Sequence, residues 1–221
     1  MSARKTVLRA AALAAAALCS LASRSGAQAW NYPSFQQPRV VDREYNFLVA
    51  DGGDAGTTFA FQWREGVSVR DQLSLDVGLA DPDFGDTKFL LGGQYARQLV
   101  TSSAQVPFDL LLTAGVYGAF GDGSLVRLPV GVSIGRRFPL EGGLAITPYV
   151  HPRISLDICA SSCGGGDRSD VSLDFDLGAN FDFTSQFALR FSALFTGSDN
   201  DFWDNAFGLS LAWRPPGLSR R

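Results

Sequence analysis

Two long runs of strict alternation constrain this chain more than any other feature. In residues 144–157, Leu144, Ile146, Val150, Ile154 and Leu156 fall on one face, with Thr147, Tyr149, His151, Arg153, Ser155 and Asp157 on the other. In residues 171–183, Val171, Leu173, Phe175, Leu177, Ala179, Phe181 and Phe183 share a face opposite Ser172, Asp174, Asp176, Asn180 and Asp182. A period of two gives a strand one apolar and one polar side. Each run is about 13 residues, more than twice the usual strand of about 5–6. Pro148 and Pro152 stand inside the first run, and each removes a ladder donor.

The same pattern recurs along the chain. Residues 43–50, 57–64, 69–80, 87–100, 108–120, 125–138, 144–157, 171–183, 187–197 and 206–213 read as ten strands. Strand four alternates least cleanly, because Phe89, Leu90 and Leu91 are consecutive. Strands one and two are short enough that a count of eight is the alternative. No helical segment and no linker interrupts the series. The expected fold class is all-β: a closed antiparallel up-and-down transmembrane β-barrel of ten strands.

Alternation alone does not say which face is outside, but four observations put the apolar face outward. A strand of about eleven residues tilted about 45° rises roughly 26 Å, the height of a barrel's apolar band. Alternate connections differ: 51–56, 81–86, 121–123, 158–170 and 198–205 all contain Asp, whereas 65–68, 101–107, 139–143 and 184–186 carry one acid or none. Rich external loops and plain periplasmic turns are the expected arrangement. Aromatics gather at strand ends. Trp63, Phe108, Phe138, Phe183, Phe187 and Trp213 mark the periplasmic rim, and Phe84, Phe120, Phe195, Phe202, Trp203 and Phe207 the outer rim. Closure is the remaining argument, since a bilayer tolerates no unpaired strand edge.

Residues 1–29 read as a secretory signal. Arg4, Lys5 and Arg9 precede an apolar stretch at 10–22, and Ala27-Gln28-Ala29 is a small-x-small cleavage site. That stretch is too short to span, which takes about 20 residues. Cys19 belongs to it. The four basic residues of this segment leave 15 basic against 22 acidic beyond it, which argues against a nucleic-acid partner. Beyond residue 29, Lys88 is the only lysine, and Glu44, Glu65 and Glu141 the only glutamates. Wet surfaces normally use Lys and Glu. The polar face here uses mostly shorter groups, suited to a crowded interior. Residues 30–42, with Pro33 and Pro38 and no clear period, read as a lead-in lying at the membrane interface through Trp30, Tyr32 and Phe35. Residues 43–213 form the barrel and 214–221 a tail.

Exported chains meet an oxidising compartment, so Cys159 and Cys163 are expected to form a disulfide, with free thiols the alternative. Zinc lacks ligands there. The polar face offers Glu44, Asp76, Asp109, Arg127, His151, Arg153, Asp157, Asp174, Asp176, Asp182 and Arg190. Arg153 lies beside Asp174 and Asp176 on the neighbouring strand. Buried charges must be paired, so these residues are expected to fill the lumen as a charge network. His151 invites a hydrolase reading, but Ser155 stands about 13 Å away along the strand. The loops holding Asp81, Asp83 and Asp86, and Asp199, Asp201 and Asp204, lack the calcium-loop pattern.

Residues Ala206-Phe-Gly-Leu-Ser-Leu-Ala-Trp213 carry Gly208, Leu211 and a closing aromatic. They resemble the C-terminal β-signal of bacterial outer-membrane proteins. The chain beyond the signal resembles the small outer-membrane barrels typified by the OmpA and OmpX barrel domains. That resemblance implies a place in the bacterial outer membrane. Its implied partners are outer-membrane lipid, lipopolysaccharide and the barrel-assembly machinery. It implies no activity. The expected role is structural or surface-interacting, as a monomer without cofactor or metal. The alternatives are a narrow solute pore and an outer-membrane hydrolase such as a lipid A deacylase.

Overall fold

The structure, a computed structural model, describes residues 32–53, 56–82, 86–121, 123–161, 169–197 and 205–216. The 1–29 signal, Trp30, Asp83, Phe84, Cys163, Asp199, Asp201, Phe202, Trp203, Asp204 and 217–221 lie outside them. The segments are β1 (Arg43–Asp51), β2 (Thr57–Gly66), β3 (Asp71–Asp81), β4 (Lys88–Val100), β5 (Asp109–Gly121) and β6 (Gly123–Gly135). They continue with β7 (Phe138–Pro139), β8 (Ala145–Ser161), β9 (Ser169–Asp182), β10 (Phe187–Thr196) and β11 (Ala206–Trp213). β7 is a two-residue stub. The other ten are long antiparallel strands. Each pairs with its chain neighbour, β6 pairs with β8 past the stub, and β1 pairs with β11 to close the ring. β1 and β2 are regular over 9 and 10 residues, so the count is ten rather than eight.

Beyond shifts of one or two residues at strand ends, three features differ from the sequence expectation. The sixth strand stops at Gly135, and Phe138 belongs to the stub paired with Ile146. β8 runs on to Ser161 and β9 begins at Ser169, which shortens the long connection. The lead-in is not at the membrane interface: Tyr32 and Phe35 are buried inside the barrel.

Short turns gather at one end. Ser68 Oγ accepts from the N–H groups of Arg70 and Asp71, and Thr184 Oγ1 from those of Gln186 and Phe187. Hydroxyl-to-backbone bonds of this kind replace ladder bonds where the chain reverses. At the opposite end, Gly56 turns β1 into β2 with φ +69, and a Cβ there would sit 1.9 Å from the Asp81 carbonyl oxygen.

Prolines leave gaps in the ladders on both sides of β6. β5–β6 pairing runs to Ala114↔Val130 and resumes at Tyr117↔Arg127, passing over Pro129. β6–β8 pairing runs to Gly131↔Arg153 and resumes at Ile134↔Val150, passing over Pro152. The missing proline N–H accounts for each gap.

Polarity is inverted relative to a water-soluble fold. Phe59, Leu73, Ile154, Val171 and Leu173 are each at least 49% exposed, whereas Glu44, Asp174, Asp176, His151 and Arg190 are fully buried. Charged groups almost never bury themselves this way unless paired, and the apolar belt requires an apolar solvent. Of the expected girdle, Trp63, Phe108, Phe120, Phe138, Phe183 and Trp213 are 38–52% exposed on the outer face, and Phe195 is half-buried. Tyr45 stacks on Trp213 at 5.5 Å across the β1–β11 seam.

Candidate functional site

The candidate site is the barrel interior, and its centre is the segment that precedes β1. Residues 32–38 enter the ring as extended chain. Pro33 and Pro38 disfavour any helix. Phe35 takes φ +50, an uncommon conformation for a bulky residue. Its carbonyl accepts from Arg64 Nη1 at 3.0 Å and from Arg190 Nη1 at 3.4 Å. The Ser34 carbonyl accepts from Arg64 Nη2 at 2.9 Å. The Gln36 carbonyl accepts from Ser133 Oγ at 2.6 Å, and its side-chain oxygen from Gln94 Nε2 at 2.9 Å. Pro38 O accepts from Gln98 Nε2 at 2.9 Å. Burial, and then the neighbouring Asp76 charge, hold the Tyr32 phenol well above its ordinary pKa. It therefore stays protonated and donates to Asp76 Oδ2 at 3.1 Å.

Around this plug the wall carries three groups of ion pairs. Glu44 receives Arg190 at 2.6 Å and Arg214 at 2.8 Å, with Arg64 at 3.6 Å. Arg190 also donates to Asn46 and Asn180. Asp182 takes Arg137 at 3.1 Å and Arg214 at 2.8 Å. Arg127 joins Asp157 at 3.1 Å and Asp174 at 2.7 Å. Arg153 stands opposite Asp174 in the β8–β9 register but bonds Asp176 at 2.9 Å, while Asp174 Oδ2 takes Arg127 and the Ser155 hydroxyl. Asp76 sits apart from these groups, bound to Tyr32 and Gln62.

His151 is fully buried between the plug and the wall. Its Nδ1 lies 2.7 Å from Ser34 Oγ and 3.4 Å from Asp176 Oδ2, and its Nε2 lies 2.9 Å from Thr113 Oγ1. Ser34 Oγ gives its single proton to Asp176 Oδ2 at 2.5 Å, so it accepts from Nδ1–H and leaves Nε2 to accept from Thr113. A serine nucleophile would need the reverse, passing its proton to the imidazole. Ser155, the serine nearest in sequence, bonds Asp174 instead. Ser34 and Thr113 escaped the sequence reading. One lies in an aperiodic lead-in, and the other is separated from His151 by 38 residues and one intervening strand.

An apolar cluster shares the outer half of the interior with the Arg127, Asp157 and Asp174 pairs. Tyr32, Phe35, Leu48, Ala50, Ala80, Leu90, Tyr117, Ala119 and Leu125 cluster there, with Cys159 against them. At the turn end, a polar cavity of about 510 Å³ opens beside the plug's junction with β1, lined by Arg39, Arg43, Arg137, Asp182 and Arg214 among others. No group of three or more metal-ligating side chains forms among the described residues.

A family model for the outer membrane protein beta-barrel domain matches residues 10–214. The chain belongs to that family. As an outer membrane protein beta-barrel domain, it resides in the bacterial outer membrane, and its exposed apolar belt faces lipid. Among curated proteins, none matches it in sequence. Similar solved structures include a bacterial polysaccharide outer membrane secretin, at 7% identity and a TM-score of 0.45, covering 76% of this chain and 57% of that one. This chain thus spans little more than half of the secretin. The KdgM porin is similar at 7% identity and TM-score 0.41, over 79% of this chain and 99% of that one. LpxR from Salmonella typhimurium is similar at 9% identity and TM-score 0.45, over 82% and 78%. Likenesses this distant carry no argument about activity.

Proposed function

We propose that this outer-membrane β-barrel is closed at rest and acts through its surface, in a structural or surface-interacting role, without catalysis. One observation carries the reading: the Ser34 and Phe35 carbonyls accept from Arg64 and Arg190, so the plug occupies the lumen where a solute path or substrate cleft would lie. The paired wall charges fill the space around it, a network built from His151, Arg153, Asp157, Asp174, Asp176, Arg127 and Arg190. A hydrolase reading draws no support from His151, whose two ring nitrogens both face protein hydroxyls in a sealed site. The outward face then meets lipid and lipopolysaccharide, the barrel-assembly machinery inserts it, and the monomer is the working unit.

Two measurements test this. Refolded full-length protein in planar bilayers should leave the resting current flat. Cells lacking the protein should lose detergent resistance or surface attachment, and regain it with the full chain. Steady single-channel conductance at rest would sink the reading.

A further inference from the structure

We infer that residues 32–38 are a removable plug, and that the barrel holds a latent passage for small polar solutes, which opens when the plug withdraws toward the turn end. The inference concerns the plug alone and does not depend on the surface role.

Four observations support it. Tyr32, Pro33, Ser34, Phe35, Gln36, Gln37 and Pro38 carry no charge, although they lie among fully buried ions. The ion pairs Glu44–Arg190, Arg127–Asp157, Arg127–Asp174 and Arg153–Asp176 all run from wall to wall. Withdrawing the plug therefore leaves those four pairs intact; Asp76 gives up Tyr32 and keeps Gln62, and Arg64 gives up the two carbonyls and keeps Gln62 and Glu44.

These wall pairs join strands that are adjacent or one apart around the ring. The plug reaches further across. Ser34 links Arg64 on β2 to His151 and Asp176 on β8 and β9, on the far side of the ring. It is the plug that occupies the axis.

On the plug side every bond to the wall is made by a carbonyl, amide or hydroxyl group, although Asp76, Asp176, Arg64 and Arg190 stand on the other side of several, and water can take the place of each such group. The segment's own bonds are few, Gln36 N–H to Ser34 Oγ and Gln36 Nε2 to the Gln37 carbonyl, and the strained left-handed Phe35 backbone relaxes on leaving. The polar cavity of about 510 Å³ at the turn end, where the segment joins β1, gives it somewhere to go.

The wall so exposed carries Gln62, Gln94, Gln98, Ser133 and Thr113. The seven buried carboxylates face four buried guanidiniums together with Arg39, Arg137 and Arg214, which pair with Asp109, Asp182 and Glu44, so the lumen is close to neutral and suits small polar solutes of either sign.

Two full-chain variants test the proposal in planar bilayers, after heat-modifiable migration has shown that they fold. The first is Ser34→Ala with Phe35→Ala and Gln36→Ala. The second is Gly208→Val, which crowds the Phe35 ring without altering the plug sequence. Loss of the Ser34 and Gln36 side-chain bonds and of the Phe35 ring contacts should raise opening frequency by about tenfold or more over the parent. A synthetic peptide of residues 32–38 added to the chamber facing the turn end should reduce the currents. Folded variants as silent as the parent would overturn the inference and leave the closed-barrel reading standing. So would two variants that both fail to fold, since the plug would then be part of the fold. Steady conductance of the parent at rest would overturn both readings.

Discussion

The Phe35 ring rests against Gly208, close enough that a Cβ at that glycine would lie 2.7 Å from Phe35 Cζ and 3.1 Å from Ala50 Cβ. A position in the final strand is thus shaped to receive the lead-in, some 170 residues earlier in the chain. Gly208→Ala should destabilise the folded barrel by about 1–3 kcal/mol, as overpacked cores do. Pairing it with Phe35→Ala should recover much of that. Urea unfolding followed by tryptophan fluorescence reads both; additive losses would separate the two positions.

Arg190 and Glu44 form the most deeply buried of the wall pairs. Arg190→Ala strands a buried carboxylate, which ordinarily costs about 3–5 kcal/mol. Here Arg214 at 2.8 Å and Arg64 at 3.6 Å remain beside Glu44, so the loss should fall toward the lower end. Glu44→Gln leaves three arginines facing one another and should cost at least as much. Heat-modifiable mobility against temperature ranks the two, and a harmless Arg190→Ala would contradict the pairing.

His151→Ala should lower stability by about 1–3 kcal/mol, the cost of leaving buried hydroxyl and carboxylate groups short of a partner. Thr113→Val should reproduce part of this effect. If His151 served only chemistry, both variants would unfold at the parent's urea midpoint.

The lipid belt should reject charge according to depth. Leu177 lies mid-strand on the outer face, paired across to Val150 and Ala193. Leu177→Arg should cost about 2–4 kcal/mol, whereas Phe183→Arg at the turn-end rim should cost about 0–1. Equal penalties from reversible folding into lipid vesicles would place the belt elsewhere.

Ten strands, their inward and outward faces and the aromatic ends were legible because a period of two records burial directly. Partner choice inside the lumen was not. Register puts Arg153 opposite Asp174, yet Arg127 from the other neighbouring strand takes that carboxylate, and Arg153 turns to Asp176. Leu90, amid Phe89 and Leu91, broke the alternation because it points inward into an apolar cluster of the lumen. The plug was illegible for a different reason. Tyr32–Pro38 has no period, and its aromatics suit a bilayer interface as well as a barrel core. Its lack of charge was the available signal, since a segment lodged among paired ions must add none.

The β1–β11 seam joins Tyr45 to Trp213, so the ring is completed by the two strands furthest apart in the chain. The plug is tied to β1 through Val41 and Asp42, with the Asp42 carbonyl accepting from Gly66 N–H at 2.8 Å. Closing the ring and enclosing residues 32–38 are therefore linked steps in biogenesis. A nascent barrel that zips shut first must admit the segment through its open turn end, so plug substitutions should register in the time course of membrane assembly as well as in the finished protein.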